Sequence, residues 1–161
     1  MKALVFSIGS DRYGLPLRAI ARVLPVVALK QIPLAPAFVA GLMDLHGQPV
    51  PVIDLSRLAG VALTQIWLDS RIVLVDYVAD GRPARPLGLL VEHVTGIETV
   101  LDAALSDPGI DGAPFLGAVA GSLQLVEVDE LLAPDVRALL FPRDGADYGK
   151  ESRMEHADGR R

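Results

Sequence analysis

Three histidines and twenty carboxylates are the side chains here best suited to act as acid, base or ligand, so their spacing comes first. His46 sits in AGLMDLHGQPVPVIDL, between two apolar runs, and Asp54 closes the second run. A turn position gives His46 exposure, but no HxxxH, HExxH or paired-carboxylate spacing supports it as a ligand. His93 follows Glu92 inside an apolar run. Neighbours on a strand face opposite ways, so the two do not act together and His93 reads as a half-buried sheet residue. His156 lies in a polar terminal stretch. Ser7, Ser10, Ser56, Ser70, Ser106, Ser122 and Ser152 are scattered, and none stands in G-x-S-x-G. GSDRYG has two glycines without the Lys-Ser/Thr of a phosphate cradle. Asp129 and Glu130 are adjacent at a helix start, a position of caps more than of catalysts. With no cysteine there is no disulfide, thiolate zinc site or cysteine nucleophile. No catalytic constellation forms, and the expectation is a binding module without metal or cofactor.

The elements that carry these residues are mostly strands. Apolar residues make up 51% of the 161 and aromatics only 5%, so Val, Leu, Ile and Ala must build the core. The net charge of −5, with dispersed basic residues, argues against a nucleic-acid surface. No window approaches the apolar length of a membrane helix, and the start lacks a signal peptide's long apolar run. A soluble, cytoplasmic protein is expected. ALVFSI, RYGLPL and RIVLVDYV read as strands, and PLGLLVEHVTGIETV as a long strand interrupted at Gly96. RAIARVLPVV is predicted as strand with a bulge at Pro25, and APAFVAG as one or two helical turns ended by Gly41. Asp54 is placed to cap the short helix LSRLAG. FLGAVAGSLQLVEVDELLAP repeats the layout around His46: small residues, a tight turn, a Val/Leu strand, an acid, a helix stub. This hints at two related halves. Short strands with near-regular turns indicate a barrel or sandwich. A last helix is expected over 136–141, and the stretch from Arg143 is a solvated tail.

YGLPL, IARVL, LKQIPLAPAFVAGLMDLHG and QPVPVIDL, in that order, resemble the signature of CheW-like domains. In that signature a Tyr-Gly strand leads to G-hydrophobic-x-x-L-R-G and hydrophobic-P-hydrophobic-x-D-L. RIVLVDYV, LGLLVEHVTGIETV, FLGAV and LQLVEVDELL follow in the family's order, so the likeness runs from Ala3 to Phe141. It implies a mainly β fold of two interlocked five-stranded SH3-like barrels with short helices over residues 1–141; the polar composition of 142–161 gives the expectation of a disordered tail there. It also implies a non-catalytic adaptor between the cytoplasmic tip of a chemoreceptor and the regulatory domain of a CheA-type histidine kinase. Such an adaptor is cytoplasmic and recruited to membrane-associated receptor arrays, without inserting in the membrane. RVLPVVALKQIPLAPAFVAGL, with APFLG later, is similar to the coupling proteins of Wsp surface-sensing pathways.

By matching positions, the resemblance implies receptor contacts at Ile20, His46, Val91 and Val94, and kinase contacts at Arg22, Leu24, Met43 and Asp44. His46 stands where the family commonly has Arg, a permanent cation with five donors, which puts the usual contacts of that position in doubt. The alternative is a generic SH3-like peptide-binding module outside chemosensing. Such modules grip ligands with aromatic-lined grooves, and a single Trp67 with three Tyr argues against one.

Overall fold

The computed structural model describes residues 1–61, 65–78, 81–109 and 115–143. It divides into two units, Met1–Leu131 and Leu132–Arg161. In the first, β1 (Lys2–Ile8) and β2 (Asp11–Pro16) form a hairpin, and β3 (Ile20–Pro25) follows a 3-10 turn at Leu17–Ala19. Next come β4 (Val39–Leu45), β5 (Gln48–Asp54), α1 (Leu55–Leu58), β6 (Arg71–Tyr77) and the long β7 (Arg85–Thr99). β8 (Leu116–Ala120), β9 (Leu123–Val126) and a 3-10 turn at Val128–Glu130 complete it. The described part of the second unit is α2 (Pro134–Leu140), with Pro134 in its first turn, where a missing N–H costs nothing. Most of the expected tail, from residue 144 on, and His156 lie outside the described residues.

β7 serves two five-stranded sheets. Its first half pairs with β6 and β5, giving the order β3-β6-β7-β5-β4. Its second half pairs with β1, giving β7-β1-β2-β9-β8. Read across in that order, both sheets show the same succession of antiparallel, antiparallel, parallel and antiparallel pairs. Each is drawn closed the same way. The chain leaving edge strand β3 bridges Lys30 to Leu42 on the opposite edge, and the chain leaving β7 bridges Ser106 to Val119 on β8. These are two SH3-like barrels interlocked through β7. The likeness between 115–134 and the stretch around His46 is structural as well: β8-turn-β9 in one barrel occupies the place of β4-turn-β5 in the other.

Packing explains why the strands lack polar faces. Met43, Val50, Val52, Ile72, Leu74 and Leu90 fill the first barrel, while Ala3, Val5, Val100, Leu123 and Leu125 cluster in the second. β6 is apolar on both sides because Ile72, Val73, Leu74 and Val75 are all buried. Gly88 keeps β7 against β5 and β6, since a Cβ there would stand 2.9 Å from Val52 Cγ2. Two local expectations fail. Residues 36–39 form a turn that runs into β4, the Val39 N–H donating to the Pro36 carbonyl, not a helix, and Gly41 lies within that strand at φ 145°. The cause is non-local: Lys30 and Leu42 exchange backbone hydrogen bonds of 2.9 and 2.7 Å across a contact too close for any side chain at Gly41. On β3 the register shifts between Ile20 and Arg22, and Pro25 simply ends the strand.

Candidate functional site

The β4–β5 hairpin around His46 is a scaffold. Leu45 and Gln48 pair across a two-residue turn in which His46 (φ 51°) and Gly47 (φ 84°) are both left-handed. That is the conformation whose twist matches a β-hairpin. The Asp44 carboxylate accepts the Gly47 N–H at 2.8 Å and pins the turn. Asp54 is buried and caps α1 as expected, accepting the Arg57 N–H at 3.2 Å with the Arg57 guanidinium 3.6 Å away. Its carboxylate serves the fold. Asp44 also lines a cleft of about 370 Å³ with Lys30, Leu42, Met43, Gly47 and Pro49.

The expected contact residues divide by exposure. Arg22, Asp44 and His46 are exposed, while Ile20, Leu24 and Val94 are half-buried. Met43 and Val91 are buried to 2% and 1%, so their side chains present no surface to a partner. Leu24 packs against the Met43–Ile72 cluster inside the first barrel. The shift after Ile20 turns Val23 outward instead, 45% exposed on the edge strand. Arg22 and Asp44 lie on the two edge strands of that sheet. His46 and Val94 are not brought together. Val52 is level with Gly88 in the parallel β5–β7 pair, which puts the hairpin tip and Val94 at opposite ends of the sheet. At the strand rise the four residues from Gln48 to Val52 and the six from Gly88 to Val94 make roughly 30 Å.

One cluster escaped the sequence reading. β7 bulges opposite Val5–Ser7, and His93 there adopts φ 51°, so the expected alternation of Glu92 and His93 fails. Both meet the loop at 65–70. The Trp67 indole N–H donates to Glu92 Oε2 at 3.2 Å, and its ring lies over His93 with centroids 5.1 Å apart. His93 Nδ1 faces the Asp69 carboxylate at 3.1 Å, and the Val94 N–H donates to the Asp69 carbonyl at 3.1 Å. Glu92 Oε1 accepts from Ser56 at 3.4 Å. Trp67 as the lone tryptophan was the one available signal, but its partners stand about 25 positions away in the chain. No group of three or more His, Asp or Glu with the arrangement of metal ligands occurs among the described residues. No helix of the described residues is long and apolar enough to cross a membrane.

The described residues form a pair of interlocked five-stranded SH3-like barrels that share β7. Residues 2–140 match the family model described as CheW-like domain, and the chain belongs to that family. The chemotaxis protein CheW of Treponema pallidum is 30% identical over 138 residues, covering 78% of this chain and 77% of that protein. Protein FrzA of Myxococcus xanthus is 27% identical over 122 residues, covering 74% and 71%. The chemotaxis protein CheW of Rhizobium meliloti is 27% identical over 99 residues, and the match takes in 62% of this chain and 61% of that protein. The solved structure of the scaffolding protein TtCheW from Thermoanaerobacter tengcongensis superposes with a TM-score of 0.74 at 25% identity, covering 84% of this chain and 94% of that one. Together these likenesses support a role as a chemotaxis adaptor.

Proposed function

We propose that this chain is a non-catalytic adaptor that joins the cytoplasmic tip of a chemoreceptor to the regulatory domain of a CheA-type histidine kinase, and that the receptor draws it to the membrane-associated array. The observation that carries this reading is the pair of interlocked barrels, matched to CheW-like domains over residues 2–140. Two partners need two faces. The kinase face is assigned to the first barrel's edge, where Arg22 and Val23 are exposed on β3 and Asp44 is exposed beside the β4–β5 turn. An apolar anchor with charges at its margin is the usual anatomy of such an interface. The receptor face is assigned to Ile20 and Val94, which are half-buried and apolar. His46 contributes the turn's shape and an exposed imidazole at the hairpin tip.

The test is binding of the purified chain to each partner separately, by calorimetry against a chemoreceptor cytoplasmic fragment and against a CheA regulatory domain. Saturable binding to both is the expected result. Binding to neither would overturn the reading.

A further inference from the structure

Ile66, Trp67 and Leu68 are consecutive, and they are 59%, 44% and 100% exposed. Three exposed apolar residues in a row are a fault in a folded surface unless they have a use. They are also held firmly. The Trp67 N–H donates to Ser70 Oγ at 2.8 Å, and the Ser70 N–H returns to the Trp67 carbonyl at 3.1 Å. Arg71 turns its guanidinium inward onto the Leu68 and Ser70 carbonyls, both at 2.7 Å. The contacts to Glu92, His93 and the Val94 N–H then fix this turn to the β7 bulge. The scaffold therefore spends many hydrogen bonds to hold outward two side chains, Ile66 and Leu68, that gain nothing from water.

We infer that the turn at 65–70 is a preformed docking knob for the receptor partner, and that it seats Ile66 and Leu68 in an apolar pocket rimmed by Lys or Arg. The inference rests on the adaptor reading and extends its receptor face, because the knob is bonded directly to the backbone of Val94. The cationic rim follows from charge. The carboxylates of Asp69, 48% exposed, and Glu92 border the knob, and Arg71 is occupied with carbonyls. A rigid knob binds without the cost of ordering a loop, so its two apolar side chains count in full.

The experiment compares the full chain with the Ile66→Ser/Leu68→Ser variant, using a chemoreceptor cytoplasmic fragment and a CheA regulatory domain as probes. Both side chains are exposed, so the melting temperature is expected to stay within about 1 °C, as for surface substitutions generally. Receptor affinity is expected to fall by at least about tenfold, the size of effect given by losing interface anchors, with kinase affinity unchanged. Trp67, the one tryptophan, should shift its emission to the blue on receptor binding. Raising salt from about 50 to about 300 mM should weaken that binding, since exposed charges are screened. Receptor binding by the variant equal to wild type, or a loss confined to the kinase domain, would overturn the inference and leave the adaptor reading standing. Affinity that rises with salt would overturn the cationic rim. If wild type binds no receptor fragment at all, the adaptor reading falls and the knob's assignment with it.

Discussion

Gly41→Ala probes the closure of the first barrel. Gly41 sits in β4 at φ 145°, and a Cβ there would overlap the Lys30 carbonyl oxygen and lie 3.1 Å from Leu29 Cβ. Two costs combine. Backbone strain for a non-glycine residue at such a φ is of order 1–3 kcal/mol. Backing the Lys30 segment away from β4 also weakens two hydrogen bonds, worth about 0.5–1.5 kcal/mol each. The expected loss is about 3 kcal/mol, which for a domain of this size lowers the melting temperature by roughly 10 °C. Gly47→Ala is the internal control, because Gly47 also has positive φ (84°) but meets nothing within 4 Å. It should cost only about 1–2 kcal/mol, the penalty for an L-residue in the left-handed region. Urea unfolding of both variants gives the comparison. Equal losses would refute the claim that a close backbone approach, and not conformation alone, demands glycine at position 41.

Leu24→Asp places a carboxylate against the Met43–Ile72 cluster and should destabilise by about 3 kcal/mol or more, whereas Val23→Asp should leave the melt unchanged and weaken kinase binding; thermal melts and calorimetry separate the two. Burial, with the charge of Asp11 adding to it, raises the Tyr13 phenol above its ordinary 10.0. The unfolded chain then releases that proton first, so stability present below pH 10 is lost as pH rises past it. Urea midpoints at pH 9 and 11 should therefore fall further in wild type than in Tyr13→Phe. A chain ending at Pro142 should keep both its melting temperature and its kinase binding, because residues 143–161 are polar and nearly free of aliphatics; a drop of several degrees in a calorimetric scan would show that the tail packs.

Features governed by nearest neighbours were legible. The turn at His46, the Asp54 cap and the doubly apolar β6 each follow from a few adjacent residues, and so does the repeated layout at 115–134. Features set by distant contacts were not. Nothing in APAFVAG announces that Lys30 will lie against Gly41, so Pro36 and Gly41 looked like helix ends. A single histidine gives no sign that it will bulge a strand, and that bulge is what gathers Glu92, His93, Trp67 and Asp69. The family likeness supplied positions without exposures, which is why Met43 and Val91 were expected at interfaces and stand in the core. Likewise a one-residue register shift exchanged Leu24 for Val23 as the outward side chain of β3.

The most direct test of the coupling claim is reconstitution. Autophosphorylation of a CheA-type kinase is measured with a membrane-embedded or clustered chemoreceptor fragment, with and without this chain. The adaptor account predicts that kinase activity responds to the receptor only when the chain is present, and that the three sediment together. Receptor control of the kinase that is the same without the chain, or a chain that sediments with neither partner, would contradict it.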